Sequence, residues 1–123
     1  MKDSLKGMYV ATALWAEDIP LAINEVPKNV YAKANKDCLV FYTKLVSKVG
    51  GKVAEQIISI EGGDTLSHAG HDFYLTRNGH GTGFWDRDED FYFGHNELLT
   101  ELSEQMKSDE FVILGLEFSE EGN

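Results

Sequence analysis

One long stretch of this chain constrains its fold more than any other feature. Between Lys28 and Val49, apolar side chains recur in steps of three and four, at Val30, Ala34, Cys38, Phe41, Leu45 and Val49. That spacing places them along one face of an α-helix. Pro27 suits the first turn of a helix, and the Gly50-Gly51 pair suits its end. The sequence therefore predicts one long amphipathic helix, whose apolar face the rest of the chain must cover.

Similar periodicity predicts shorter helices on either side of the long one. The apolar stripe of residues 5–16 contains Leu5, Met8, Thr12 and Trp15, and that of residues 52–60 contains Val53, Ile57 and Ile60. In residues 96–107, with Asn96 as the expected N-cap, the inward positions are Leu98, Leu102 and Met106, together with Leu99. Cys38 is the single cysteine, and its place on an apolar stripe predicts a small buried hydrophobe.

Residues 71–77 allow two interpretations. As the first strand of a hairpin, they would turn at Asn78-Gly79 and return as a second strand. As the end of a helix capped by Asp64 or Thr65, they would lead into the same pair as a left-handed C-terminal cap. The helix is preferred, because its apolar stripe begins before His71, at Leu66, Ala69 and Gly70.

The remaining apolar segments have the composition of strands. FVILGLEF at 111–118 is rich in branched and aromatic residues, and residues 81–86 and 91–93 are similar in character. We therefore predict a single α+β domain over residues 1–123, with three to five helices packed on one face of a small two- or three-stranded antiparallel sheet. Residues 119–123 are expected to be a frayed acidic tail.

Charge is distributed very unevenly along the chain. Residues 1–85 contain nine acidic and nine basic residues, whereas residues 86–123 contain twelve acidic residues and only Arg87 and Lys107 as bases. The formal net charge of −10 therefore comes entirely from the last third of the sequence. Phosphate groups bind clustered Lys and Arg, so direct binding of nucleic acid or of an anionic membrane is not expected. Since the chain has neither an apolar run of about 18 residues nor a signal peptide, a cytoplasmic protein is predicted.

Residues 70–87, GHDFYLTRNGHGTGFWDR, form the most distinctive motif. This run resembles the motif GHDFWLTRNGHGxGFWDR of a family of small phage, prophage and plasmid proteins. ALWAED near the N-terminus, the KDC at 36–38 and the helix–strand ending are similar to that family as well. The resemblance implies a phage-type protein in the host cytoplasm, but it brings no reaction and no ligand. The run DEDFYFGHN at 88–96 departs from the family pattern, so any function of that run belongs to this protein or its close relatives.

The motif also holds the side chains best suited to catalysis. His71, His80 and Asp86 could form a small metal-dependent or acid–base enzyme, in which the glycines offer backbone N–H groups to an oxyanion. Residues 70–87 contain no serine or cysteine, and the spacing of a phosphate loop is missing. His68 and His71 lack a second pair of metal ligands. No metal and no cofactor are therefore predicted, and the enzyme is the alternative hypothesis.

A structural role for the motif is preferred. The residues expected to shape the junction after the helix are Arg77, Asn78, Gly79, Gly81, Gly83 and Trp85. Phe84 and Trp85 are expected to add buried apolar area. The ion pairs Arg77–Asp86 and Arg87–Asp72 are expected to join the helix to a strand.

Function is then expected on the acidic surface that follows the motif. Glu97, Glu101 and Glu104 share one helical face and follow the acidic run DRDED, which gives a sparse copy of the charge pattern of DNA. We predict binding to a host protein with a basic surface, which would be a nucleic-acid-binding or defence protein inhibited by a DNA mimic. The predicted partner-binding residues are Asp86, Asp88, Glu89, Asp90, Phe91, Tyr92, Glu97, Glu101 and Glu104. The aromatic run Phe91, Tyr92 and Phe93 is expected to supply an apolar anchor, the alternative being that it closes the core.

Overall fold

A computed structural model of the chain describes residues 2–62 and 66–107, and within these ranges the fold is helical. The α-helices are α1 (Lys2–Ala16), α2 (Lys28–Val49), α3 (Gly51–Ile58), α4 (His68–Arg77) and α5 (Asn96–Gln105). Two short 3-10 helices lie at Ile23–Glu25 and Phe84–Asp86. The predicted α+β fold is wrong, since the described residues form no sheet and contain only an isolated antiparallel bridge between Glu61 and Ser67.

The two described segments that were predicted as strands form turns instead. The Phe84 N–H donates to Thr76 Oγ1 at 3.2 Å, and Asp86 N–H donates to the Gly83 carbonyl at 3.1 Å, so neither enters a strand ladder. In residues 91–93, the N–H groups of Phe91 and Phe93 bind the carbonyls three residues earlier. These turns still bury Phe84 and Tyr92 completely, with ring centroids 5.2 Å apart. Phe84 and Tyr92 therefore indicated burial and not extended backbone. The third predicted strand, 111–118, and the predicted tail, 119–123, lie outside the described residues.

The helical predictions are confirmed for all five predicted helices. α2 spans the predicted stretch, and five of its six predicted inward residues are buried, at Val30, Ala34, Cys38, Phe41 and Leu45. Residues 71–77 are helical and end as the helix interpretation required. Gly79 has a φ of 74°, and the His80 N–H donates to the Leu75 carbonyl at 3.0 Å, which is the Schellman pattern of a left-handed cap.

Helix ends and one inward position differ from the predictions. α4 begins only at His68, and its predicted caps, Asp64 and Thr65, lie outside the described residues. The N-cap position of α5 belongs to His95, so Asn96 is the first helical residue and does not cap. Trp15 is exposed, although it was expected on the inner stripe of α1, because Tyr9 and Ala13 fill the inward positions there.

α4 lies at the centre of the core and packs against α1, α3 and α5. Its Phe73 stacks on Phe41 of α2 with ring centroids 4.2 Å apart. The approach to α1 is closest at Gly70, where an added Cβ would lie 2.4 Å from the Leu5 carbonyl oxygen and 2.9 Å from the Tyr9 nitrogen. Glycine is therefore needed at position 70 because backbone, and not a movable side chain, occupies the space.

Gly70→Ala should lower the free energy of unfolding by about 3 kcal/mol, because α1 and α4 must separate to admit the methyl group. Urea denaturation of the full chain measures the loss. The matched control is Gly51→Ala, at the start of α3, where no atom lies within 4 Å of the added Cβ and alanine favours the helix. An equal denaturation midpoint for Gly70→Ala and the parent would contradict the close crossing.

Candidate functional site

Asp72, a fully buried carboxylate on α4, forms an ion pair with Arg87, which lies near the start of the acidic last third of the chain. Arg87 donates from Nε to Oδ2 at 2.9 Å and from Nη2 to Oδ1 at 2.7 Å, a two-point geometry that is strong and directional. The Tyr92 hydroxyl donates to Oδ2 at 2.6 Å, and His68 Nδ1 lies 3.4 Å from the same oxygen. The predicted Arg87–Asp72 pair is confirmed, and the structure adds Tyr92 and His68 to it.

The electrostatics of this cluster keep the Asp72 carboxyl charged and the Tyr92 phenol protonated at neutral pH. Burial by itself would raise the pKa of the Asp72 carboxyl, but the hydrogen bonds from Arg87, His68 and Tyr92 outweigh burial and hold this pKa well below its usual range. Burial and the neighbouring Asp72 charge raise the pKa of Tyr92, so the phenol stays a donor. At neutral pH, Asp72 is thus a charged structural group whose two oxygens are already bound by protein donors.

Arg77, the last residue of α4, joins three other parts of the fold. Its Nη1 donates to Asp37 Oδ2 on α2 at 2.6 Å and to the Tyr9 hydroxyl on α1 at 3.0 Å. Its Nε donates to the Met106 carbonyl just after α5 at 3.1 Å. The predicted Arg77–Asp86 pair is therefore wrong, because Asp37 takes the guanidinium and Asp86 is exposed.

The other predicted structural residues of the motif divide into two groups. Asn78 donates from Nδ2 to the Tyr74 carbonyl at 3.0 Å, and buried Gly83 packs directly against the Thr76 hydroxyl. Gly81 faces open space. Trp85 is exposed and does not enter the core, so Phe84 alone supplies the buried area expected from this pair.

The three residues of the alternative enzyme hypothesis lie in separate environments. His71 Nδ1 is 3.1 Å from Thr12 Oγ1, and burial lowers the pKa of this imidazole, which favours its neutral form. His80 Nε2 is 3.2 Å from a carboxylate oxygen of Glu17. Asp86 is exposed, and no hydrogen bond, ion pair or ring contact joins any two of these three described residues. Burial also raises the pKa of the Cys38 thiol, which removes the only thiol as a nucleophile.

Glu17 is a site residue that sequence reasoning missed. Its Oε2 accepts a hydrogen bond from the Tyr74 hydroxyl at 2.6 Å as well as facing His80. The histidine lies 63 positions along the chain from this carboxylate, and periodicity carries no information about such a pairing. The arrangement fixes the segment after α4 against the end of α1.

The predicted acidic residues all lie at the protein surface. We call them the acidic surface: Asp86, Asp88, Glu89, Asp90, Glu97, Glu101 and Glu104, all of them exposed. Within the part of the chain that the structure describes, none of the seven forms a salt bridge, and the ion pairs of Lys6 and Lys33 are with Asp3 and Asp37. The negative charge of these side chains is therefore uncompensated by any described Lys or Arg within contact distance.

The loop and helix parts of the acidic surface are held together by one side chain. Asn96 Nδ2, at the start of α5, donates to the carbonyls of Arg87 and Asp88 at 3.1 and 3.0 Å. The beginning of α5, which carries Glu97, therefore lies against the residues that carry Asp88 and Glu89. Glu101 and Glu104 follow on the outward side of the same helix, opposite the buried Leu99 and Leu102.

The aromatic residues beside the acidic surface are not arranged as the sequence predicted. Tyr92 is fully buried and Phe91 is half-buried, so neither offers a partner a free ring. Phe93, the third residue of this aromatic run, is 54% exposed. Its φ of 56° lies in the left-handed region, which a phenylalanine rarely adopts. Phe93 and not Phe91 or Tyr92 is thus the apolar group presented to solvent within the acidic loop, defined as residues 87–95.

Three further findings complete the description of the site. In the ranges 2–62 and 66–107, no group of three or more His, Cys, Asp or Glu is placed to hold a metal ion. None of the helices in those ranges combines the length and the apolarity needed to cross a membrane. No protein-family model, no curated protein and no solved structure matches this chain.

Proposed function

We propose that this chain is a phage-type accessory protein that binds a basic host protein through the acidic surface. The class of partner that fits best is a nucleic-acid-binding or defence protein of the host cytoplasm, which the chain would inhibit by occupying its basic cleft. The observation that carries the proposal is the set of seven exposed carboxylates that form no salt bridge within the described residues. The resemblance of residues 70–87 to a phage and plasmid motif supports the biological setting.

Uncompensated charge has a physical cost that a binding partner would relieve. Carboxylates gathered in one region repel each other and weaken the folded state, whereas a basic surface brought against them replaces repulsion with attraction. The same field accelerates the encounter of oppositely charged proteins and discriminates against acidic ones. Direct binding of DNA or RNA is disfavoured by the same charges.

The spacing of the carboxylates suits a partner that binds nucleic acid. Along α5, the rise of about 1.5 Å per residue places Glu97, Glu101 and Glu104 about 6 and 4.5 Å apart along the helix axis. Duplex DNA carries about one charge per 1.7 Å of axis, so the helix alone is too sparse to match it. The acidic loop supplies the further charge, because Asn96 holds its first residues against the start of the helix.

Phe93 adds an exposed apolar ring, held at a positive φ, to a surface that is otherwise acidic. A phenylalanine held at a positive φ costs roughly 1–2 kcal/mol relative to ordinary backbone. Backbone of this kind is concentrated at binding sites, and exposed aromatic rings are frequent energetic centres of interfaces. The ring is the apolar anchor of the proposed interface, and the carboxylates around it are its charged rim.

The test uses the tagged full chain to recover partners from host lysate, followed by affinity measurement with each purified partner. Glu97→Gln, Glu101→Gln and Glu104→Gln together should weaken binding on the order of tenfold and reduce its dependence on salt, because each carboxylate contributes a modest charge pair. Phe93→Ala should weaken binding while leaving the salt dependence unchanged. Duplex DNA should compete with the chain for the same partner.

The matched control is the triple variant Asp3→Asn, Asp18→Asn and Glu61→Gln, which removes three exposed carboxylates far from α5 in sequence. It should bind as the parent does. His80→Ala should also bind normally under this proposal, whereas an enzyme centred on His80 would lose its activity. Equal loss of affinity in the two triple variants would contradict a role specific to the acidic surface.

A further inference from the structure

The outer face of α2, opposite its buried core residues, carries an open groove of about 440 Å³. Every residue that lines the groove belongs to α2, so the other described elements leave this face uncovered. Leu39 and Val40, which are 37% and 40% exposed, lie in the groove. Lys36 and Lys44 lie one helical turn before and one turn after Val40. We call the surface formed by these four residues the lysine groove.

The two lysines of the groove are available to bind an acidic partner. Within the described residues neither of them forms a salt bridge, since the lysine ion pairs there are those of Lys6 and Lys33. Asn35 and Thr43 also line the groove, and each adds a side chain that can donate a hydrogen bond. Cationic and polar donors beside two apolar side chains suit a partner that has carboxylates beside an apolar group.

The acidic loop presents the complementary arrangement. Phe93 is 54% exposed, and its backbone N–H donates to the Asp90 carbonyl at 3.1 Å, so residues 90–93 form a turn. The exposed side chains of Asp88 and Asp90 precede the ring in sequence, and that of Glu97 follows it. An apolar centre with a charged rim is common in protein interfaces, and rims of opposite sign attract each other and fix the orientation of the two partners.

We propose that the acidic loop of one copy of this chain docks in the lysine groove of a second copy. The Phe93 ring lies against Leu39 and Val40 of the second copy. The carboxylates beside the ring pair with Lys36 and Lys44. The contact therefore satisfies the exposed apolar ring and the unpaired charges of both surfaces at once.

A second copy fits the groove better than two other sources of negative charge. The chain's own acidic loop does not fill it, because Arg87 and Tyr92 bind that loop to Asp72 and none of its residues lines the groove. Duplex DNA would match the lysines but presents only phosphates to the apolar residues. Two copies each have a formal net charge of −10, but repulsion beyond about 8 Å is largely screened at physiological salt, whereas partly buried pairs are screened much less.

The contact joins two different surfaces, so it is heterologous and can repeat from copy to copy. A copy whose loop is docked has its acidic surface occupied. Self-association therefore competes with the host protein for that surface, a consequence that rests on the proposed function. The contact itself needs no host protein, and the purified chain is sufficient to test it.

Sedimentation of the purified full chain over a concentration series, at about 0.15 M salt, measures the association. Lys36→Glu with Lys44→Glu should weaken it at least about tenfold, because two attractive charges become repulsive, and Phe93→Ala should weaken it by a similar factor. The matched control is Lys28→Glu with Lys52→Glu, which makes the same change of charge at two exposed lysines outside the groove. The control should associate as the parent does. A parent that stays monomeric up to about 1 mM, or an equal loss in the control, would overturn the proposal.

A mixture of two variants tests whether loop and groove bind each other. The lysine variant, Lys36→Glu with Lys44→Glu, keeps the acidic loop, whereas the loop variant, Phe93→Ala with Asp90→Asn, keeps the groove. Each alone should be monomeric at concentrations where the parent associates. An equimolar mixture should form heterodimers and nothing larger, because only one loop and one groove remain intact. A mixture that stays monomeric would contradict the contact.

Two further measurements separate this contact from nucleic-acid binding and from the proposed function. Duplex DNA that the parent binds and the lysine variant does not would assign the groove to nucleic acid and overturn the proposal. The lysine variant keeps all seven carboxylates of the acidic surface, so it should bind a purified host partner at least as tightly as the parent does. Host binding without self-association of the parent would refute the contact between copies alone. Self-association without host binding would refute the proposed function alone.

Discussion

Asp72→Ala is expected to lower the free energy of unfolding by about 3 kcal/mol at pH 7. The change leaves the Arg87 guanidinium without its buried counter-charge and the Tyr92 hydroxyl without its acceptor. Removing one partner of a buried ion pair typically costs about 3–5 kcal/mol. The lower end applies here, because Arg87 is partly exposed and can turn toward water.

The same carboxylate should make stability depend on pH. The pKa of the Asp72 carboxyl in the folded protein lies well below its usual value. The stability that this carboxylate contributes is therefore fully present above the unfolded pKa of about 4, and it is lost as the pH falls from there through the lower pKa of the folded protein. The difference between the parent and Asp72→Asn should therefore be largest near neutral pH and should narrow below about pH 5. Urea midpoints at a series of pH values measure it.

Asp88→Asn is the matched control, because Asp88 is exposed and its side chain forms no described salt bridge. It should change neither the midpoint nor the pH profile measurably. If Asp72→Ala proves too unstable to measure, Tyr92→Phe is the alternative variant. It removes one hydrogen bond and keeps the ring, and it should lower the free energy of unfolding by about 1–2 kcal/mol. A difference between parent and Asp72→Asn that stays constant down to pH 3 would contradict the assigned charge state.

Arg77→Ala should lower the free energy of unfolding by about 3 kcal/mol as well. This one guanidinium binds Asp37, Tyr9 and the Met106 carbonyl, so its removal takes this donor from the Tyr9 hydroxyl and the Met106 carbonyl and leaves Asp37 paired with Lys33 alone. Arg77→Lys should recover only part of the loss, because an ammonium group cannot reproduce the planar set of donors. Urea denaturation at pH 7 gives both values.

Lys33→Ala provides the control, because Lys33 binds the same Asp37 carboxylate from the surface. The Lys33 side chain is 44% exposed, whereas that of Arg77 is 13% exposed. Exposed ion pairs contribute about 0–1 kcal/mol, so Lys33→Ala should change stability by less than about 1 kcal/mol. Comparable losses for the two variants would show that Arg77 acts through simple charge and not through its position between helices.

The helices were predictable from the sequence because their determinants are local. Apolar spacing located α2, its two glycines located its end, and the Asn78-Gly79 pair located the cap of α4. The strands at 81–86 and 91–93 were wrongly predicted because aromatic residues favour strands only when a neighbouring strand exists. Here Phe84 and Tyr92 are buried by turns that pack against α4, and this tertiary packing overrides the local preference.

The candidate site was predictable only in part for a related reason. The Arg87–Asp72 pair joins residues 15 positions apart within one motif, and it could be expected from the motif alone. Arg77 with Asp37 and His80 with Glu17 are 40 and 63 positions apart, and they depend on which helices lie side by side. The exposure of Phe93 could not be predicted either, because a run of three aromatic residues does not indicate which of them a turn will direct toward solvent.

The acidic loop is fixed to the protein at its beginning, its middle and its end. Arg87 and Tyr92 bind Asp72, and Asn96 binds the backbone at residues 87 and 88. A segment that is already ordered loses little conformational freedom when a partner docks, so less of the interaction energy is consumed in arranging it. Recognition through this loop is therefore expected to be a near rigid-body event, with residence time set by the quality of the contacts and not by refolding of the loop.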